Sequence, residues 1–496
     1  MFASIFQYFV LAVTLFLVGA AGWAYYRSLR QPSEAAAQGG DVSFAPFSSA
    51  PRRGLVQILI LAAASRFVLY ALAYLSARLV LNPDGGFWDS FASLWQRSDA
   101  PHYLAIVENG YVSTGEDQVF LVFLPFYPLV VKLFSAVFGS ALYSGLVVSL
   151  LSFFAACVLV YEVALLLGQD EETAFLAAKY MIFFPASFFV NGTFSEGLFL
   201  LLSCLFFHFL LRKKWLAAAC FGFFAAFTRY YGVLLAVPYF VEWTQDFAAA
   251  RRFDPARGQP GPETVRPGGS PPQSRREARR EARRKTAAKP TVGLAAKPAV
   301  SAAAKAVAPS AARASAPSAA NQPVKPSASA IVKTAAPILL IPAGTGLFLV
   351  VNKVVSGSFF QFLTYQREHW NQSFRLFPEN MRSLAANVLA FDPQTSASMF
   401  LPQLICIILF LGLMVFGILA RFRLSMLVYL GVYFLLTISA SWMLSFPRYL
   451  FGAAPVFCLM GALGRRGRLA DALQTLVCLS GLMYLTFAYV CGYHVY

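Results

Sequence analysis

Long apolar runs alternate with short polar or basic segments along the chain, except between residues 245 and 333. A helix needs roughly 20 apolar residues to cross the hydrocarbon core of a bilayer. Runs of about that length lie near 2–26, 55–81, 142–167, 194–211, 334–355, 398–420, 424–445 and 470–491, and shorter or broken runs near 119–138, 173–190, 215–243 and 448–463. The pattern predicts an all-α, polytopic integral membrane protein with about 10–12 transmembrane helices.

The composition supports this prediction. Hydrophobic residues make up 58% of the 496 residues and aromatic residues 16%. A water-soluble protein cannot bury that much apolar side-chain surface, so the excess must face lipid. The first run ends in Trp23, Tyr25 and Tyr26, followed by Arg27. An aromatic belt followed by positive charge is typical of a retained membrane helix and not of a cleaved signal peptide.

The distribution of Lys and Arg predicts an orientation. Basic residues concentrate in the short loops 27–53, 212–214, 421–423 and 465–468. Short loops of this kind are cytoplasmic in most membrane proteins. The segment 82–118 carries six acidic residues and only Arg97 as a base, so it is predicted to lie outside, together with 356–397.

Four apolar runs lie between 82–118 and 212–214, and four membrane crossings would leave both segments on the same face. If the first segment is outside and the second inside, one of the four intervening runs must enter and leave on the same face. The best candidate is 119–138, which contains Pro125 and Pro128. The break at Phe184–Pro185 is a competitor. Broken helices at membrane depth are tolerated where they line a cavity.

Residues 245–333 are a different kind of polypeptide. Residues 251–333 carry 17 Lys and Arg against 4 Asp and Glu, a net charge of +13 out of the chain's +17. Such a basic, low-complexity sequence predicts a disordered cytoplasmic linker attracted to anionic lipid headgroups. Nucleic-acid binding is not expected, because no recognition module accompanies the charge. The predicted organisation is therefore an extra N-terminal helix and loop (1–54), a catalytic membrane module (55–244), the linker (245–333) and C-terminal membrane helices (334–496).

Cofactor and metal motifs are missing from the sequence. The seven cysteines show no CxxC or Cys/His ligand spacing, so neither a disulfide framework nor a metal site is expected. The sequence contains no GxxxxGK[ST], and no GxGxxG follows a strand pattern. No cofactor is expected, and a donor dissolved in the bilayer fits better than a soluble nucleotide sugar.

The polar stretch LWQRSDAPHYLAIVENGY, residues 94–111, is the first candidate for chemistry. Asp99 precedes a run that is compatible with a helix, and His102 and Tyr103 follow within one turn. A carboxylate at a membrane surface could act as the general base for a sugar hydroxyl. The alternative is that Asp99 only caps an ordinary interfacial helix.

Three further charged residues interrupt apolar sequence. Glu196 follows a Pro break, Arg229 lies in AFTRYYGVLL and Arg448 in SFPRYL. Ionisable groups at membrane depth are costly and are candidates for function. Glu196 could instead be a first-turn partner of the helix dipole, and Arg448 a snorkelling interfacial arginine.

Four blocks resemble one family in order and spacing. SDAPHYLAIVENGY is similar to the WDAxWYLxIAxxGY pattern of the PIG-V-type mannosyltransferases, within the GT-C superfamily of multispanning glycosyltransferases. FLPFYP resembles the family's FFPLYP, FFPASFFVNGTFSEGLFLLLS its FPTSFFFSAxYSESLFLLLS, and FTRYYGVLL its LTRPTGVLL. PRYL is a plausible late counterpart. The sequence departs from the family at Ser98, where the pattern has Trp, and at Tyr230, where it has Pro.

The resemblance implies a GT-C-like fold and an inverting transfer of a mannosyl or similar residue. The donor would be a polyprenyl- or dolichyl-phosphate sugar, and the acceptor a hydroxyl of a glycolipid or glycan on the extracytoplasmic face. Asp99 would be the base, Arg229 and Arg448 would bind the donor phosphate, and Glu196 would orient an arginine or a sugar hydroxyl. His102 and Tyr103 would contact substrate.

Other readings of the sequence remain open. They are a transporter or flippase of lipid-linked sugars, and a GT-C enzyme with another sugar or a protein acceptor. The expected location is a bacterial cell membrane, or the endoplasmic reticulum membrane if the source is eukaryotic.

Overall fold

The computed structural model describes residues 2–30, 52–81, 86–252, 328–441 and 445–495. These residues contain no β-strand, and an isolated antiparallel bridge joins Phe374 to Ala440. The predicted all-α class is confirmed. The α-helices of six residues or more are α1 Phe2–Arg30, α2 Arg52–Val80, α3 Phe87–Leu94, α4 Ala100–Asn109, α5 Phe126–Phe138, α6 Ala141–Leu166, α7 Glu171–Phe183, α8 Glu196–Leu211, α9 Trp215–Thr228, α10 Ala236–Arg252, α11 Ala328–Ala335, α12 Leu340–Ser356, α13 Gln361–His369, α14 Phe377–Ala390, α15 Leu401–Leu419, α16 Leu424–Thr437, α17 Phe446–Phe451, α18 Pro455–Gly464 and α19 Arg468–Val490. A short helix, Pro393–Thr395, continues through a π-helical turn, Ser396–Phe400, into α15.

The number of candidate membrane spans is lower than the predicted ten to twelve. In the described ranges six helices are long and apolar enough to cross a membrane, and two bent helix pairs raise the number to eight if each pair is one span. Four predicted runs are instead the shorter apolar helices α8, α9, α16 and α18. With 16 residues, α8 is about 24 Å long, which is less than the roughly 30 Å of a bilayer core. The eight candidate spans and these four shorter helices together give twelve apolar helical segments in the described ranges, within the predicted ten to twelve.

Most of the predicted linker lies outside the described residues. The helices on either side overlap its ends, since α10 continues to Arg252 and α11 begins at Ala328. The predictions of disorder and of headgroup binding within 253–327 concern residues outside the described ranges.

The sequence interrupts the α-helical structure between α7 and α8. Asp170 caps α7 by accepting a hydrogen bond from the backbone N–H of Thr173 at 2.8 Å. Pro185 lacks a backbone N–H and disfavours a helical residue before it, so α7 ends at Phe183. A 3₁₀ segment, Pro185–Asn191, follows at an angle of 68° to α7. Residues 185–195 thereby form a buried connection without α-helix, inside the helical body.

The predicted same-face run near 119–138 is also bent. Its 3₁₀ segment Glu116–Val122 meets α5 at 112°. A short turn at Gly139, with φ of 69°, reverses the chain into α6. The start of α5 packs beside the third turn of α6, since the Tyr127 hydroxyl lies 3.1 Å from Oγ of Ser149. Beyond Ser149, α6 continues to Leu166. Helix α5 therefore runs beside only the first part of α6.

Two basic loops predicted to share a face lie together at one end of the helical body. Arg423 donates from Nε and Nη2 to the two carboxylate oxygens of Glu242, each at 2.6 Å. Lys213 donates to the same carboxylate at 2.9 Å and to Asp246 at 2.7 Å. This contact joins the 212–214 and 421–423 loops through α10, as loops on one membrane face require.

Candidate active site

Asp99 lies at the start of α4 but does not cap it. It occupies the N-cap position with helical backbone angles, and its side chain makes no capping hydrogen bond. Its Oδ2 instead accepts from Nη2 of Arg448 at 2.6 Å. The preceding residue, Ser98, has φ of 56°, a left-handed conformation that turns the chain between α3 and α4. The side chain of Asp99 therefore faces the interior of the helical body.

Glu196 is the first residue of α8 and joins two arginines. Its carboxylate is 1% exposed. Oε1 accepts from Nη1 of Arg229 at 2.5 Å and also from Nε of Arg448. Among the described residues, Oε2 has no hydrogen-bond partner. A buried carboxylate between two guanidinium groups is more than a partner of the helix dipole, since its charge is compensated by side chains from two other elements.

The two arginines are held by aromatic rings. The Arg448 guanidinium lies over Phe189 at 4.6 Å and Phe194 at 5.3 Å, and its side chain is 6% exposed. Arg229 lies over the ring of Tyr449 at 5.7 Å. Ring faces attract cations most strongly where water is excluded. Arg448 thus points into the protein and does not snorkel to solvent.

These contacts form one continuous series, Asp99–Arg448–Glu196–Arg229, called here the charge chain. Two carboxylates balance two guanidinium groups, which is how charges are tolerated in a protein interior. The four residues come from the start of α4, the short buried α17, the start of α8 and the end of α9. The charge chain lies about 24 Å along α8 from the basic 212–214 loop. This distance is most of the roughly 30 Å thickness of a bilayer core.

Tyr103 belongs to the same network, and His102 does not. The Tyr103 hydroxyl lies 2.9 Å from Oγ of Ser195, which also accepts from Nη1 of Arg229 at 3.0 Å. The His102 ring packs 4.5 Å from Phe120 and edge-on, 6.4 Å, from Trp370. Burial lowers the pKa of His102 and outweighs the opposite effect of Asp99 and Asp117.

Sequence reasoning missed several residues of this region. Ser195 precedes Glu196 in the quoted block but carried no charge to attract attention. The rings under Arg448 lie among many other phenylalanines in apolar sequence. Arg66 interrupts the apolar run 55–81 and contacts the 3₁₀ segment before Glu196. Its charge inside an apolar run was the signal that could have identified it.

The site shows no constellation of metal ligands in the described ranges. No group of three or more His, Cys, Asp or Glu residues there could hold a metal ion. The carboxylates of the charge chain are instead paired with guanidinium groups. The arrangement can bind an anion through arginines and accept a proton on a carboxylate, which are the two tasks of a glycosyl transfer.

Comparisons with known proteins add little to this geometry. No protein-family model matches the chain, and no curated protein matches it. A crystal structure of the Archaeoglobus fulgidus oligosaccharyltransferase, tethered with an acceptor peptide, is similar at 10% sequence identity with a TM-score of 0.35. The similarity covers 86% of this chain and 55% of that one, so this chain spans about half the length of its neighbour. A similarity at this level carries no information on function.

Proposed function

We propose that this protein is a membrane glycosyltransferase of the GT-C type. It transfers a mannosyl or similar residue from a polyprenyl- or dolichyl-phosphate sugar to a hydroxyl of a glycolipid or glycan. The observation that carries the proposal is the buried contact between Asp99 and Arg448, extended through Glu196 to Arg229. It brings a candidate base and two candidate phosphate ligands into one continuous network. The motif resemblance contributes the sugar and the lipid donor.

Asp99 acts as the general base in this proposal. Its carboxylate takes the proton of the acceptor hydroxyl while the acceptor oxygen attacks the anomeric carbon. The bond from that carbon to the phosphate oxygen breaks, and its electron pair remains on the departing lipid phosphate. The products are an inverted glycoside and the free polyprenyl phosphate.

The arginines stabilise the negative charge of the leaving phosphate. A guanidinium presents paired N–H groups that match phosphate oxygens. Arg448 and Arg229 both bind Oε1 of Glu196, so a phosphate beside that atom would meet both cations. Glu196 holds the two like charges together in the absence of donor. It is the orienting residue of the site.

Arg448 also binds the candidate base, since its Nη2 donates to Oδ2 of Asp99 at 2.6 Å. A donor phosphate that competes for Arg448 would leave this carboxylate oxygen free to accept the proton of the acceptor hydroxyl. This exchange would couple donor binding to access of the acceptor to the base.

Release of sugar from a labelled donor tests the proposal. Membranes containing the wild-type protein are supplied with polyprenyl-phosphate [¹⁴C]mannose, and transfer to endogenous lipid or glycan is measured. Transfer by the wild type, lost in Asp99→Asn and kept in Glu108→Gln, supports the proposal. Glu108 lies on the same helix but is exposed, so it controls for loss of a carboxylate on α4. Movement of intact donor across the membrane without transfer would indicate a flippase instead.

A further inference from the structure

A fifth charged residue is buried near the charge chain, and its hydrogen-bond acceptors in the described structure are hydroxyl, amide and carbonyl oxygens. Arg66 lies in the middle of α2, and 3% of the residue is exposed. Its guanidinium lies 4.7 Å over the ring of Phe153. An ionised group in a membrane helix needs compensation by other polar groups. The contacts of Arg66 show where that compensation comes from.

Every N–H group of the Arg66 guanidinium has an acceptor. Nε donates to Ser65 Oγ at 3.2 Å. Nη1 donates to the carbonyl of Ser187 at 2.7 Å and to Oδ1 of Asn191 at 3.1 Å. Nη2 donates to the carbonyl of Ile182 at 2.8 Å and to Oγ of Ser187 at 3.1 Å. The five donors of the planar fork are all used, four of them on one short stretch of chain.

That stretch is the break between α7 and α8. Ile182 lies in the last turn of α7, and Ser187 and Asn191 lie in the 3₁₀ segment. The break leaves carbonyl groups without helical partners inside the protein, which is costly unless a donor satisfies them. Arg66 supplies donors on both sides of the bend, so it fixes the angle between α7 and the 3₁₀ segment. The Tyr70 hydroxyl, one turn later on α2, donates to the Asn191 carbonyl at 3.1 Å.

The segment held in this way carries the charge chain. Phe189 lies between Ser187 and Asn191, the two residues of the segment that bind Arg66. The Arg448 guanidinium lies over the ring of Phe189 and over that of Phe194, which follows the segment. Ser195 and Glu196 follow directly and bind Arg229. A displacement of the 3₁₀ segment therefore moves the support of Arg448 and the carboxylate that binds both arginines.

We propose that Arg66 is a positioning residue for glycosyl transfer. It acts through the 185–191 segment on Glu196 and Arg448, and it does not contact substrate. This inference rests on the proposed function only for its kinetic test. The effect of Arg66 on the 185–191 segment can be measured without turnover.

The principal variant is Arg66→Lys, which keeps the positive charge but loses two of the five donors and the planar fork. We expect kcat for sugar transfer to fall about 100-fold, the effect of a displacement near 1 Å at a reacting centre. The acid limb of the pH profile should keep its midpoint, since Asp99 remains the base. Arg382→Lys, at an exposed position on α14, is the matched control and should behave as wild type.

Hydrogen exchange tests the structural premise directly. In purified Arg66→Lys protein, peptides covering 182–196 should exchange faster than in wild type, while peptides from α6 keep their protection. If Arg66→Lys does not fold, Ser187→Ala removes one acceptor and leaves the arginine in place. It should give a several-fold fall in kcat and a smaller increase in exchange over the same peptides.

The outcomes separate the two proposals. Wild-type kcat and wild-type exchange in Arg66→Lys would overturn the positioning role and leave the proposed function intact. Faster exchange of 182–196 in a protein whose wild type transfers no sugar would overturn the proposed function and retain the structural premise. A shifted pH midpoint in Arg66→Lys would also contradict a positioning role, because it would indicate that Arg66 acts on the base itself.

Discussion

Arg448 binds Asp99 and Glu196 with different nitrogens of one guanidinium, Nη2 to the first and Nε to the second. The two carboxylates come from the first half of the chain and the arginine from α17, in the second half. Their contact links the two halves of the chain in the protein interior. We regard it as the centre of the candidate site.

The first prediction concerns the base. Asp99→Asn should lower the rate of sugar transfer by at least about 100-fold, the usual lower range for loss of a general base. Asparagine keeps the size of the side chain and a hydrogen-bond acceptor for Arg448, so the fold should persist. Transfer from a labelled polyprenyl-phosphate sugar is the measurement, with thermal unfolding in detergent as the check on folding. Normal turnover in a folded Asp99→Asn protein would remove Asp99 from the mechanism.

The second prediction concerns the fork of Arg448. Arg448→Lys keeps the charge but cannot bind Asp99 and Glu196 with separate coplanar N–H groups. We expect kcat/KM for the donor to fall roughly 10- to 100-fold, about 1.4 to 2.8 kcal/mol of transition-state stabilisation. Arg382→Lys provides the exposed control. A donor KM and kcat equal to wild type would show that this guanidinium does not bind the phosphate.

Two buried glutamates provide a matched comparison for the third prediction. Glu196 and Glu242 are each 1% exposed, and each accepts from two cationic side chains. Glu196 begins α8 in the charge chain, whereas Glu242 lies on α10 beside the 212–214 loop that follows α8. Glu196→Gln should abolish transfer, whereas Glu242→Gln should keep kcat within about 2-fold. Loss of a partner from a buried ion pair destabilises by roughly 3–5 kcal/mol, so both variants should unfold at lower temperature.

Measuring activity and unfolding for both variants separates the two effects. Loss of kcat in folded Glu242→Gln equal to that in Glu196→Gln would mean that buried charge is needed only for the fold. Retained transfer in Glu196→Gln would show that the carboxylate does not orient the arginines for catalysis.

Much of this site could be predicted because its residue types are expensive in apolar sequence. Asp99, Glu196, Arg229 and Arg448 were all identified from charge beside membrane helices, and the structure brings all four together. Arg66 is also a charged residue in an apolar run, but no recognised motif surrounds it. The pairing of these charged residues could not be predicted, because apolar periodicity does not determine which helix break lies against which helix end.

The helix count shows a different limit of the sequence. Run length reports how many residues are apolar, and it does not report where backbone hydrogen bonding stops. Pro185 indicated a break, but the bend of 68° and the direction of the 3₁₀ segment depend on the acceptors that Arg66 satisfies. At the bend in 116–138, the Tyr127 hydroxyl contacts Ser149 of α6, a pairing that run length does not report either.

The fourth prediction concerns orientation. Glu108 on α4 and Lys214 in the basic loop are both exposed. Cysteine at position 108 should react with a membrane-impermeant thiol reagent in intact cells, whereas cysteine at position 214 should react only after permeabilisation. The native cysteines are buried or partly buried, so their background should be low. Labelling of position 214 alone in intact cells would reverse the proposed orientation and place the charge chain on the cytoplasmic side.

The last prediction concerns the turn that directs Asp99. Ser98 adopts φ of 56°, which costs a non-glycine residue roughly 1–2 kcal/mol, and its buried hydroxyl has no hydrogen-bond partner in the described structure. Glycine occupies this region freely but loses about 0.5–1 kcal/mol of chain entropy on folding. Ser98→Gly should therefore stabilise the protein by up to about 1 kcal/mol.

Ser98→Val tests the same backbone in the opposite direction. A β-branched residue is strongly disfavoured at positive φ, so this variant should be less stable than wild type and should lose transfer as Asp99 moves away from Arg448. Thermal unfolding of the purified variants in detergent is the measurement. Gln96→Gly serves as the control, because Gln96 is not among the residues with positive φ and glycine there should only destabilise. A lower unfolding temperature for Ser98→Gly than for Gln96→Gly would contradict strain at Ser98 and the role of this turn in directing Asp99.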